Sequence, residues 1–226
     1  GNHSETSVIP RYDRLIVYKN NKLRYGEWYY GPQILTLFSG QLKYESNSVL
    51  FDKLSFLSGY QKYTESRYDR NLNNPVRNGR QEDLSIFSVN LDFGKTIDNQ
   101  NELFYGVESY INKINSVGLT KNLLTNESEI IPSRYPDDSD YGSVAGYLSY
   151  KFNLRKKIIL QAGTRFTHTW LNGEFNPDYY NFPFTGFDMK NSALIGNAGV
   201  VWHPTTEWQI NTNFSTGFRS PNIDDV

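Results

Sequence analysis

From Trp208 to Phe218 the side chains alternate. Trp208, Ile210, Thr212, Phe214, Thr216 and Phe218 fall on one side, and Gln209, Asn211, Asn213, Ser215 and Gly217 on the other. A period of two describes an extended strand with one face toward an apolar phase and the other toward water. The pattern breaks at Arg219-Ser220-Pro221-Asn222, where Pro221 has no amide to give to a ladder. The same alternation recurs upstream. Phe87, Val89, Leu91 and Phe93 oppose Ser88, Asn90 and Asp92, and Leu103, Tyr105, Val107 and Ile111 oppose Glu108, Tyr110 and Asn112. Val144, Leu148, Tyr150, Phe152 and Leu154 oppose Ser149, Lys151 and Asn153. Leu160, Ala162, Phe166 and Trp170 oppose Gln161, Gly163 and Arg165, and Leu194, Ala198, Val200 and Trp202 oppose Asn197 and Gly199.

The pattern predicts about nine strands. They run over Asn2–Pro10, Gln33–Glu45, Leu54–Arg67, Leu84–Phe93, Glu102–Ile114, Ser143–Leu154, Ile158–Leu171, Ala193–His203 and the stretch from Trp208. A phase change near Ser39-Gly40 predicts a bulge. The connections alternate between long and short. Tyr12–Pro32, Tyr68–Asp83, Asn115–Gly142 and Asn172–Asn191 are long; Ser46–Lys53, Gly94–Asn101, Arg155–Lys157 and Pro204–Glu207 are short. In an antiparallel up-and-down meander this collects the long loops at one end and the short turns at the other, as in a transmembrane barrel with long extracellular loops and short periplasmic turns. The longer strands reach about ten to fourteen residues, enough to cross a bilayer at a tilt. Tyr105, Tyr150, Phe152, Trp170, Trp202, Trp208 and Phe218 lie near strand ends on the apolar face, where aromatic girdles sit. The fold class expected is therefore all-β, with residues 1–226 forming one partial barrel domain.

Composition narrows the function. The net charge of −1 supplies no field for nucleic acid or an anionic surface. Cys is absent, which removes disulfides, thiolate metal sites and cysteine nucleophiles. Tyr is abundant at 17 and Met occurs once, a balance that suits amphipathic strands. No run is long enough for a spanning helix, and a mean hydropathy of −0.61 is compatible with a barrel, whose strands average out as polar. Gly1 opens the chain without Met, so the lack of a signal peptide says nothing about export.

Catalysis finds little support. His3, His168 and His203 lie apart and without HExxH-like spacing; His168 shares its face with Phe166 and Trp170 and is expected at an interface. Asp137-Asp138-Ser139-Asp140 offers oxygen ligands but lacks the spaced register of a calcium loop. No metal site, cofactor or enzymatic activity is expected. Two stretches are better candidates for binding. Asn172–Asn191 holds Phe175, Tyr179, Tyr180, Phe182, Phe184 and Phe187, rings that water penalises unless they pack or bind. In the connection Tyr12–Pro32 and just before it, Arg11, Arg14 and Arg24 can meet an anionic ligand, or pair with Asp13 and Glu27. The candidate ligand residues are thus Arg11, Arg14, Arg24, Tyr179, Tyr180 and Phe182. Gly217, Phe218, Arg219, Pro221 and Asn222 are assigned a structural role, with Arg219 turned lumenward to meet carboxylates or carbonyls and Pro221 ending the strand.

IPRYDRL (Ile9–Leu15), GEWYYGPQ (Gly26–Gln33), ESRYDR (Glu65–Arg70), Tyr105-Gly106, RYPD (Arg134–Asp137) and STGFRSPNIDD (Ser215–Asp225) together resemble the barrel of TonB-dependent outer-membrane receptors of the Bacteroidetes type. The resemblance covers nearly the whole chain and rests on the order and spacing of these pieces. It implies an outer-membrane barrel of about 22 strands around a plug domain. It also implies active transport of a ferric siderophore, haem or cobalamin, energised by the TonB–ExbB–ExbD system through a TonB box. Plug, TonB box and a terminal aromatic strand are not found here, so a middle piece of a receptor is expected. Its two open edges are expected to pair with another copy, or its sheet to curl on itself. Two other readings stay open: a soluble β-rich module that binds carbohydrate or protein, as in adhesion, and a passive porin.

Overall fold

The computed structural model describes residues 1–154, 157–180 and 182–225. In chain order the elements are β1 (Asn2–Glu5), β2 (Ile9–Pro10), the one-turn helix α1 (Tyr12–Leu15), β3 (Tyr18–Lys19) and β4 (Lys22–Leu23). Then come β5 (Tyr25–Tyr30), β6 (Ile34–Glu45), β7 (Lys53–Asn71), β8 (Val76–Thr96) and β9 (Asn101–Asn122). The chain continues through β10 (Ser128–Ile131), β11 (Ser139–Leu154), β12 (Ile158–Glu174), β13 (Gly186–Trp202) and β14 (Ile210–Ser215). The main sheet runs β1-β6-β7-β8-β9-β11-β12-β13-β14, so nine staves follow one another as an antiparallel meander. Its two ends are not paired with each other; the sheet is open and does not curl into closure.

Register explains why this meander forms. Leu42, Phe56, Leu91, Val107, Gly146, Phe166 and Leu194 are successive cross-strand partners. Tyr44, Leu54, Phe93, Tyr105 and Leu148 make a second such row. A slip of one residue would move a whole strand's apolar set to the other face, so these rows fix the pairing. The apolar face is left bare: Leu194 is 72% exposed and Phe214 likewise 72%. The buried side chains lie mostly on the opposite face and are mostly polar, among them Glu82, Ser116, Ser143, Thr167 and Thr169. A soluble sandwich buries the reverse set. An outward apolar face and a polar inward one are the arrangement of a barrel wall in lipid.

Several sequence expectations need correcting. Tyr68–Asp83 is not a loop: β7 and β8 continue through it, and the turn is only Leu72–Pro75, with Asn73 at φ 61°. β9 likewise runs on to Asn122 and turns back into β10, so Asn115–Gly142 is largely hairpin. Asn172–Glu174 and Gly186–Asn191 are strand, leaving a shorter connection between them. No register shift occurs at Ser39-Gly40; the irregularity is at Tyr25/Glu27 in β5. The expected first strand Asn2–Pro10 is divided between β1 and β2, which pair with β6 and β5. β5 and β6 are themselves one stave broken at Gly31-Pro32-Gln33. There the Gly31 amide donates to the Ser66 carbonyl, and a Cβ on Gly31 would collide with Ser66 Oγ. The last strand stops at Ser215 rather than running to Phe218. Most of the turn expected at Arg155–Lys157 lies outside the described residues.

Candidate functional site

The polar face carries ion pairs along its height, Arg165–Glu108 at 2.6 Å and Lys151–Glu102 at 2.9 Å among them, and a denser group where β7 and β8 rise beyond the apolar rows. Glu65 faces Glu82 and Arg67 faces Arg80 directly across the ladder. Like charges so placed repel. Ion pairs along and across the strands offset this: Arg67 lies 2.9 Å from Glu65 and 3.9 Å from Glu82, and Arg80 lies 4.0 Å from Asp69. Glu82 is 1% exposed, and neither of its carboxylate oxygens accepts a hydrogen bond among the described residues.

The turn after β10 folds onto this ladder. Arg134 approaches Glu65 at 3.5 Å and Asp224 at 3.4 Å, and stacks over the Tyr135 ring. The Tyr135 hydroxyl donates to Asp224 Oδ1 at 2.5 Å. Burial and that carboxylate push the Tyr135 phenol well above its usual range, so it stays a donor. Beneath, the Tyr135 amide donates to Ser116 Oγ and the Ser116 amide to Asp137 Oδ1. Ser139 Oγ donates to the Pro136 carbonyl. Asp137 and Ser139, from the acidic cluster considered as a cation ligand set, thus hold their own turn. From the other side Tyr180 Oη donates to the Ser133 carbonyl at 3.0 Å. The stretch Ser133–Ser139 therefore ties together β7, β9, the connection before β13 and the end of the chain.

Arg219 binds both oxygens of Asp225 at 2.8 Å, inside its own motif, and its side chain is 76% exposed. Ser220 Oγ contacts Thr169 Oγ1 at 2.9 Å and accepts from Asn191 Nδ2 at 3.3 Å, which draws the segment over the polar face. Asn222 closes the short 3-10 turn Ile223–Asp225 by accepting the Asp224 and Asp225 amides. Pro221 follows the strand end by several residues. Phe218 is partly exposed, and a Cβ on Gly217 would meet nothing.

The six candidate ligand residues form two groups. Arg11 and Arg14 both lie over Trp28, and Arg11 is spent on Asp13 at 2.7–2.8 Å. Arg24 lies apart, over Tyr25. Glu27 pairs with Arg70. Tyr179, Tyr180 and Phe182 belong to the β12–β13 connection, toward the other end of the sheet order. There Phe175 contacts Tyr180, Phe182, Phe184 and Phe187 at centroid distances of 5.1–5.8 Å. Tyr180, Phe182 and Phe184 stack in series at 5.6 and 5.2 Å. Phe182 and Phe184 remain about half exposed, so this ladder packs on one side and offers rings on the other. The histidines are held by neighbours: His3 with Thr36, His168 with Ser192 and His203 with Gln209. Sequence reasoning missed Glu65, Glu82, Arg134, Tyr135 and Asp224 as one cluster, although ESRYDR, RYPD and NIDD contain four of the five.

Residues 2–226 match the family model described as TonB dependent receptor-like, beta-barrel. Among curated proteins no match is found. Solved structures agree in fold. The copper transporter OprC superposes with a TM-score of 0.67 at 12% identity, over 79% of this chain and 29% of that one. The ferric yersiniabactin uptake receptor FyuA from Yersinia pestis gives 0.63 at 11% identity, over 93% and 32%. The ferric citrate transporter FecA, in its unliganded form, gives 0.59 at 14%, over 84% and 27%. The chain spans about a third of the length of these structures. With its bare apolar face, polar inner face and matching family model, the chain belongs to the TonB-dependent receptor β-barrel family of the outer membrane.

Proposed function

We propose that the chain is part of an active-transport receptor that takes up a scarce metal chelate, such as a ferric siderophore or haem, or a cobalamin. Energy comes through TonB–ExbB–ExbD, and the chain acts by binding and transport, not by catalysis. The observation that carries this reading is the cluster Glu65-Arg67-Glu82-Arg134-Asp224. At the outward end of the polar face, segments far apart in sequence are tied together through charge, as suits a gated passage better than an open pore. The structural neighbours, a copper transporter, a ferric yersiniabactin receptor and a ferric citrate transporter, favour a metal chelate as the cargo. Ligand contact is assigned to Arg14, Arg24, Tyr179 and Phe182, with Arg11 and Tyr180 holding the two groups in place.

The test is uptake in whole cells. A strain lacking the receptor is supplied with single radiolabelled iron chelates, haem or cobalamin. One ligand should be taken up only when both the receptor and TonB are restored. Uptake that persists without TonB would mean a passive pore; uptake of none would remove the transport reading. For the ligand so found, Phe182→Ala should lose about 1–3 kcal/mol of stacking, or about five- to 150-fold in Kd, with barrel assembly unchanged.

A further inference from the structure

Short turns at the periplasmic end of a barrel are ordinarily polar, and the tip of Ile97–Gln100 fits, with Asp98, Asn99 and Gln100 there and the exposed Ile97 at its shoulder. The turn Ser46–Asp52 differs. Its tip is Val49 and Leu50, 92% and 71% exposed. It does not fold toward the polar face, as the outward-end segments do. Phe51 packs between Tyr44 and Phe93 at 6.4 and 5.4 Å, and Phe93 stacks on Tyr105 at 5.0 Å. Tyr44, Phe93 and Tyr105 are members of one outward-facing row. The Tyr105 hydroxyl donates to the Leu50 carbonyl at 2.9 Å. The turn therefore lies along the lipid-facing belt.

Most of its polar groups are paired with one another and with β8. Lys95 Nζ donates to the Ser48 carbonyl and to Asp52 Oδ1, both at 2.7 Å. Ser48 Oγ donates to the Phe51 carbonyl and accepts the Phe51 amide. The Ser46 amide donates to the Asp52 carbonyl, and the Asp52 amide to Gly94. Asp52 Oδ2 accepts the Thr96 amide. The carbonyls of Ser48, Leu50, Phe51 and Asp52 are thus all partnered, as a segment next to hydrocarbon needs. At the tip two aliphatic side chains remain outside, with the exposed Asn47 on the approach to them. Water disfavours such a tip, and the lipid contacting the adjoining belt accepts it.

We infer that the turn Ser46–Asp52 is a membrane anchor, with Val49 and Leu50 set into the periplasmic leaflet where headgroups meet acyl chains. The inference rests on the outer-membrane barrel and not on the ligand reading. The test uses the whole receptor in phospholipid vesicles, with a single cysteine bearing a bimane label at Val49→Cys, Leu50→Cys or, as the aqueous reference, Gln100→Cys. Lipids brominated near the headgroup should quench the labels at positions 49 and 50 several-fold more than the label at 100. Iodide in the water should quench them several-fold less. Iodide reaching both labels as readily as the reference overturns the anchor. Shielding from iodide without quenching by brominated lipid means that protein covers the turn, and overturns it as well.

Discussion

Arg67 stands beside two carboxylates that the β-ladder forces face to face. Removing it should be much worse than removing one of them. Arg67→Ala strands Glu65 and the buried Glu82 together, and the expected loss is on the order of 3 kcal/mol. Glu82→Gln keeps the shape, removes one of the two like charges and should be close to neutral; in combination it should recover part of the Arg67→Ala loss. Urea unfolding of the receptor in micelles measures both, and equal losses would contradict this account. Asp225 carries a second prediction. The Asn222 amide, with Arg219, holds its carboxyl below the usual aspartate range. Its folded value is the lower one, so the turn has its full support above the ordinary value of about 3.9 and loses it as pH falls through the depressed value. Titration by NMR should give a midpoint under that reference, with the Asn222 amide losing protection at the same pH. A midpoint at the reference would break the link. At this scale the sequence was informative in parts. Arg219 could be read as a residue seeking carboxylates or carbonyls, and in the structure it lies on Asp225 of its own motif. The meeting of Tyr135 and Asp224 could not, because 89 residues separate them and nothing periodic joins them.

Among the elements, the belt was legible because lipid and water impose contrast. Each row alternates, so period two marks both strand and face. The outward halves of β7, β8 and β9 were not. Segments such as SRYDRN and VRNGRQ carry polar residues on both faces, so they keep the strand and lose the contrast. Their Asn, Gly and Pro content then mimicked a loop. The same contrast predicts where charge is tolerated. Leu194 lies in the middle apolar row and is exposed, so Leu194→Arg should cost about 2–4 kcal/mol in a bilayer. Asn197→Arg, on the polar face of the same strand, should cost little. Folding titrations into vesicles compare the two, and equal tolerance would mean that the faces are assigned the wrong way round.

On the largest scale the described residues form a wall, with one apolar side and one polar side. Its most sequence-distant contacts gather at the outward end, on Ser133–Ser139, and the resemblance carried by the short motifs anticipated the family without showing that three of them meet there. Strand length gives the wall a further property. β7, β8 and β9 have 19, 21 and 22 residues. Crossing the hydrocarbon takes about 9–11 at a tilt. About ten residues of each stave therefore stand clear of the lipid, roughly 30 Å of ladder along the strand. A flexible rim would have to be ordered each time something docked there, at a cost of about 1–2 kcal/mol per residue fixed. Here the backbone ladder is already made, and that entropy is settled during folding. Whatever approaches the wall from that end meets a stiff ladder of backbone before it meets the membrane.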